Sequence, residues 1–280
     1  MKKIIVPLIF IVIAALVTGC GEDQYAMERK YWQMQKQAEK IFKNPKASPP
    51  NELMRVVQLF TDFANKRPNS SLAVDADFTI ARLYMVKENY DSARAKLKRM
   101  LDKYSKYESI CSEALFMMGN AYELEGKWNL ALEQYQRIIR EYPATRRGID
   151  IPIYIAEYYR AKYQPEKMIA AIQEAIVHYR TLAIRFPDSP VGLTASTLVG
   201  ECFLALKDWQ AAVETFENVV NTYKDKAVVD SILLNMALIY QRELKNEAKA
   251  KEILERLIKE YPKSALAKKA TALLSEWSKK

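Results

Sequence analysis

"ALFMMGNAYELEGKWNLALEQYQRIIREYP", residues 114–143, has a counterpart in the same chain: "ASTLVGECFLALKDWQAAVETFENVVNTYK", residues 195–224. Each stretch holds a small residue, an aromatic three later, then Trp, Ala and a second aromatic, and closes on Tyr-Pro or Tyr-Lys. Similarity of a chain to itself at such a period marks a repeat array. The 280 residues are long for one compact domain and ordinary for an array.

The register continues in both directions. The small residues are Ala81, Gly119, Ala156, Gly200 and Ala237, followed three later by Tyr84, Tyr122, Tyr159, Phe203 and Tyr240. A second set of alanines, Ala93, Ala131, Ala212 and Ala250, is followed four later by Leu97, Tyr135, Phe216 and Leu254. Pro68, Pro143, Pro187 and Pro262 close units, and Ser105 and Lys224 stand where two more would be. Two antiparallel helices per unit satisfy this pattern. Small residues let helix axes approach, aromatics fill the space between them, and Pro stops the second helix. Tyr90, Trp128 and Trp209 open second helices, and Asp208 and Asn246 are expected to cap them.

The small residues recur at intervals of 38, 37, 44 and 37. The 44 carries seven surplus residues, nearly two helical turns, which preserve the apolar face. They are expected in one long helix over 165–186 that overhangs its neighbour by about 10 Å at 1.5 Å per residue. Pro152 is expected only in the first turn of its own helix. At the ends, residues 22–43 read as an amphipathic helix with the stripe Tyr31, Trp32, Met34, Ala38, Ile41 and Phe42. Helix 51–67 follows the stiff loop 44–51, with Val56 and Phe60 in the paired slots. Leu266, Ala270, Leu273, Leu274 and Trp277 form the stripe of a capping helix over 264–278.

The small, Tyr, Ala, Phe and Pro positions resemble the tetratricopeptide repeat. The usual period is 34, so these inter-unit turns are about three residues longer. That longer form, with turns such as Tyr261-Pro262-Lys263-Ser264 and Phe186-Pro187-Asp188-Ser189, resembles periplasmic members such as the BamD-type barrel-assembly lipoproteins. The resemblance implies an all-α, right-handed α-solenoid of about six helix pairs plus the cap. It also implies that first helices line a concave face. Exposed positions there lie three before, one after and four after each small residue. Three before gives Phe78, Phe116 and Ile153 as an apolar ridge. One after gives Arg82, Asn120, Glu157 and Glu201, and four after gives Met85, Glu123, Arg160 and Leu204. Such a surface suits an extended or helical segment of a partner.

The N-terminus fixes the expected compartment. Lys2 and Lys3 precede the apolar run Ile4–Gly19, which is too short for the roughly 20 residues of a spanning helix and contains Pro7. Basic start, apolar middle and small-residue end are the parts of a secretory signal peptide. Val17-Thr18-Gly19-Cys20 resembles the bacterial lipobox, which implies cleavage before Cys20 and a diacylglycerol on its thiol. The expected organisation is signal peptide 1–19, lipidated tether 20–24 and solenoid 25–280. Gly21 in place of the inner-membrane retention Asp points to the outer membrane, facing the periplasm.

Composition narrows the function classes. The net charge of +9 includes Lys2 and Lys3 and is spread out. Its densest piece is Arg94, Lys96, Lys98, Arg99, Lys103 and Lys106, broken by Asp91 and Asp102. That reads as a solvated helix face or a contact for acidic headgroups or an acidic partner. Nucleic acid is not expected outside the cytoplasm. Phosphate-cradling loop, GxSxG elbow, HExxH and CxxC are all absent from the sequence. His178 is the single histidine and reads as a surface or packing residue; Cys111 and Cys202 share no metal or redox spacing. No enzyme, cofactor, metal site or small-molecule substrate is expected. The leading reading is a lipid-anchored scaffold for envelope proteins of the barrel-assembly kind. A secretin pilotin, or a solute- or glycan-binding lipoprotein, are the alternatives.

Overall fold

The computed structural model describes the backbone of residues 6–226 and 229–277 and the side chains of 24–226 and 229–277. The expected signal peptide, Cys20 and most of the tether lie outside the described side chains. Among the described residues there are thirteen helices and no strand. They are α1 (Val6–Lys43), α2 (Pro50–Lys66), α3 (Ser71–Val86), α4 (Tyr90–Lys103), α5 (Glu108–Leu124), α6 (Trp128–Glu141) and α7 (Arg146–Ala161). The remainder are α8 (Pro165–Arg185), α9 (Pro190–Ala205), α10 (Trp209–Thr222), α11 (Val229–Arg242), α12 (Glu247–Glu260) and α13 (Ala265–Trp277). The chain forms two compact units, Met1–Arg137 and Ile138–Lys280, divided inside α6. Within each, consecutive helices pack on one another, and first helices also meet the next first helix, as α1 meets α3 and α3 meets α5. This is α-solenoid packing. Among the described residues, no helix is long and apolar enough to cross a membrane.

Local chemistry sets the helix ends. The hydroxyls of Ser70, Thr145 and Ser189 accept from the N–H three residues on and donate to the carbonyl three residues back. One small side chain therefore closes the old helix and opens the new one. The side-chain oxygens of Asn89, Asp208 and Asn246 cap second helices by accepting from the N–H three residues on. Between the two helices of a pair, one residue sits in the left-handed region: Glu88, Gly126, Tyr163, Lys207 or Lys245.

The repeat register has a packing cause. A Cβ on Gly119 would lie 2.2 Å from the Tyr135 ring, and one on Gly200 would lie 2.3 Å from the Phe216 ring. The aromatic four residues after the alanine thus fills the notch of the small residue on its partner helix. In the first unit Tyr31, Met34, Ala38 and Ile41 pack with Val56, Phe60 and Phe63. The Tyr31 and Phe60 rings meet edge to face at 5.9 Å. Trp32, expected on this stripe, is 57% exposed and carries Lys36 Nζ over its ring. It follows Tyr31 by one residue, about 100° around the helix, and cannot share the face. In the second unit Ala267, Ala270 and Trp277 of α13 close the core over α11 and α12.

The surplus lies in α8, 21 residues against 14 in α4, α6, α10 and α12. His178 and Tyr179 reach Gly148 and Ile149, close to the start of α7. Arg180–Arg185 therefore runs past that start, by about 9 Å at 1.5 Å per residue.

Pro152 is not in the first turn. The helix begins at Arg146, and Pro152 is buried in its interior. Having no N–H, it leaves the Gly148 carbonyl without its helical donor. His178 supplies one: its Nε2 lies 3.1 Å from Gly148 O. Tyr179 Oη donates to the next carbonyl, Ile149 O, at 2.7 Å. Burial lowers the His178 pKa and raises that of Tyr179, so the ring stays neutral and the phenol stays protonated near neutral pH. The interior proline is accepted because the long helix answers it.

The basic run is also not a solvated face throughout. Arg94 is buried, paired with Asp91 and with Glu125, and lies over the Tyr122 ring. Lys96 and Lys103 both bond Asp77.

Candidate functional site

A crevice of about 430 Å³ opens between α7, α8 and α9, all in the second unit. The α7 side supplies Ile149, Asp150, Ile153, Ala156, Glu157 and Arg160. Met168, Ile172 and Tyr179 come from α8, and Leu198, Glu201 and Ala205 from α9. Spacings of three and four residues put Ile153, Ala156, Glu157 and Arg160 on one helical face. The floor is apolar and the rim is charged.

Electrostatics give the crevice a sign. Asp150, Glu157 and Glu201 face one cation, Arg160, which is already paired with Glu157. Asp150 lies 3.5 Å from Arg146 Nε on its outer side. Desolvation against the apolar lining raises the Glu201 carboxyl pKa, although the residue remains exposed at the rim. A positive group arriving beside Glu201 would favour its charged form and gain an ion pair at the rim. The crevice therefore favours a segment that carries apolar side chains and at least one basic one.

Four of the expected groove residues, Ile153, Glu157, Arg160 and Glu201, meet here. Leu204 is half-buried on α9 and does not line the crevice. Those in the first unit are placed differently. Phe78 keeps only 8% of its surface, because α1, α2, α4 and α5 all pack on α3. It is a core residue and cannot serve as an exposed anchor. Phe116 is half-buried and tilts against Tyr135 at 6.0 Å. Tyr135 Oη sits 2.9 Å from Asn120 Oδ1 and 3.0 Å from Glu123 Oε2, so both polar side chains are engaged within the unit. Arg82 is exposed and donates to Thr79 Oγ1, and Met85 is half-buried.

Met168 and Ile172 were invisible to a reading that searched first helices alone. They lie in the first half of α8, ahead of the surplus turns Arg180–Arg185. Cys111 and Cys202 are buried and form no disulfide with each other. Burial pushes the Cys202 thiol up to about 12, which leaves it unreactive near neutral pH. Among the described residues no group of His, Cys, Asp and Glu could hold a metal ion.

The family model of the tetratricopeptide repeat matches residues 113–145, 195–226 and 232–264. No curated protein matches the chain. Among solved structures, the C-terminal part of a TPR repeat-containing protein from Cytophaga hutchinsonii is 19% identical, with 86% of this chain and 85% of that one covered and a TM-score of 0.46. YrrB, a TPR protein with an unusual peptide-binding site, is 18% identical, with 76% and 97% covered and a TM-score of 0.38. The TPR2AB domain of yeast Sti1 is 13% identical, with 89% and 98% covered and a TM-score of 0.33. None of these likenesses bears on what the crevice binds. The chain thus carries tetratricopeptide repeats, and α7–α8 lies between the matched segments.

Proposed function

We propose that this protein is a lipid-anchored scaffold on the periplasmic side of the outer membrane, where it captures an envelope protein during assembly, as BamD-type lipoproteins do. A tetratricopeptide array is a scaffold suited to protein–protein interaction. The crevice between α7, α8 and α9 supports the reading most directly, with an apolar floor and an acidic rim sized for one or two side chains of a partner segment. Buried apolar anchors carry most of the energy of such contacts, and rim charge governs choice and rate. The lipobox at Val17–Cys20 supports the anchor and the compartment.

Photo-crosslinking tests the reading. A benzophenone amino acid at Ile153, expressed in the native host, should trap a barrel-assembly component in the membrane fraction. A secretin adduct would transfer the reading to pilotins. No protein adduct at Ile153, with the variant folded, would remove the crevice from the account. Palmitate should label the wild-type chain and not Cys20→Ala.

A further inference from the structure

The repeat builds the same crevice twice on the side of the second helices. One lies between α2, α3 and α4 and has a volume of about 440 Å³; the other lies between α8, α9 and α10 and has about 400 Å³. Their residues correspond at a constant offset. Pro68 matches Pro187 and Ile80 matches Val199. The polar positions do not match in kind. Asp77, Lys96, Arg99 and Lys103 line the first, where Ser196, Thr215, Asn218 and Thr222 line the second; the one charge of the second, Arg180 on α8, stands where the first has Thr61.

The second crevice shows that this packing requires no charge at the positions of Asp77, Lys96, Arg99 and Lys103. Charge in the first has a cost, since Asp77 is 2% exposed and Lys96 is largely covered. Buried ion pairs contribute little net stability, because desolvation consumes the attraction. The pairing is also unbalanced. One carboxylate serves two lysines and the Tyr104 hydroxyl, which donates to it at 2.8 Å. Burial alone would raise the Asp77 carboxyl, but bonds from Lys96 and Lys103 outweigh it and hold the group ionised. Arg99 is exposed at the mouth and has no ion-pair partner among the described residues. Four charges leave an excess of two positive. Asp77 thus holds two ammonium groups in place beneath a free guanidinium. A planar fork beside fixed ammonium groups matches the oxygens of a phosphate.

We propose that the crevice between α2, α3 and α4 is an anion site that takes a phosphate group, bound by Arg99, Lys96 and Lys103. The phosphate belongs to a phospholipid headgroup or to a small soluble phosphate ester; both present the same oxygens.

The other crevice supplies the control. Replacing Asp77, Lys96, Arg99 and Lys103 by Ser, Thr, Asn and Thr installs a set that this packing already tolerates. Arg99→Asn alone removes only the exposed fork. The full chain, kept in non-ionic detergent, is melted with inorganic phosphate, glycerol 3-phosphate or dihexanoylphosphatidylglycerol, against chloride at equal ionic strength. Binding to the folded state raises the midpoint in a saturable way. Arg99→Asn should weaken the apparent affinity roughly tenfold or more, as loss of charged hydrogen bonds does, and the fourfold variant should abolish the shift. Response to the lipid at much lower concentration than to glycerol 3-phosphate assigns a headgroup; equal or better response to the esters assigns a soluble ligand. No shift beyond chloride with any of the three, or the same shift in wild type and Arg99→Asn, overturns the proposal.

Discussion

The pairs α7–α8 and α9–α10 are neighbours in one unit, built on one plan and held by different means. In α9–α10 the holding device is shape: Gly200 leaves a notch and the Phe216 ring fills it. In α7–α8 it is hydrogen bonding: Pro152 frees a carbonyl, and His178 and Tyr179 of the long helix supply donors to that end of α7. The shape device is local and repeats with the sequence, as Gly119 and Tyr135 show. The hydrogen-bonding device belongs to one place. It accompanies the pair that lies between the matched repeats and lines the candidate groove. Regular units hold the array together here, and the irregular one carries the distinctive surface.

Phe216→Ala is the strongest challenge to this contrast. It empties the notch over Gly200, and large-to-small changes at a buried aromatic cost about 3–5 kcal/mol. Urea unfolding should show a loss of that size. A loss below about 1 kcal/mol would mean that shape is not what holds α9–α10.

The hydrogen-bond device calls for a double-mutant cycle. His178→Ala should cost about 1–3 kcal/mol, because a buried carbonyl loses its donor. Pro152→Ala restores an N–H to Gly148 O, so in that background the same change should cost far less. Equal costs in both backgrounds would show that His178 acts by packing and owes nothing to the proline.

Acidity probes the same bond more gently. The folded-state pKa of His178 is lowered by burial, so the unfolded chain takes the proton more readily. Its contribution is therefore present above the unfolded value near 6.5 and is lost as pH falls through it. Glu201 acts in the opposite sense, since its raised carboxyl favours the folded state at lower pH. His178→Gln, which keeps a donor and does not titrate, should flatten the decline below pH 6.5 that wild type shows. An unchanged slope would exclude His178 as its source.

What the sequence disclosed follows the same division. Helix pairs, caps at Asp208 and Asn246, the cap α13 and the seven-residue surplus in α8 all arise from short-range spacing, and spacing is visible in one chain. Pro152 was misread because its acceptance depends on His178, 26 residues away. Phe78 was misread because four helices converge on α3, and periodicity within α3 cannot reveal that. At the groove, Ile153, Glu157, Arg160 and Glu201 were legible as positions on first helices. Met168 and Ile172 were not, since they come from the one second helix that breaks the pattern. The charged crevice around Asp77 was hidden in a run that read as a solvated face. Only the neutral residues at matching positions of α9 and α10 distinguish it.

The smallest effect lies in the turns, where the two pairs should agree. Tyr163 in the first and Lys207 in the second both have left-handed backbones, with φ of 55° and 59°. Side chains with a Cβ are disfavoured there by about 1 kcal/mol or more, and glycine is not. Gly126 already takes this position between α5 and α6, at φ 77°. Lys207→Gly and Tyr163→Gly should therefore each stabilise the protein, partly offset by the extra freedom glycine gives the unfolded chain, for a net gain of about 0.5 kcal/mol. Tyr163 is 93% exposed, so its removal forfeits little packing. Equal gains would mean that the irregular pair departs from the plan only in its helices. A gain at Lys207 with a loss at Tyr163 would mean that the Tyr163 ring does something in its turn that the lysine does not, and the contrast between the pairs would then extend to the turn itself.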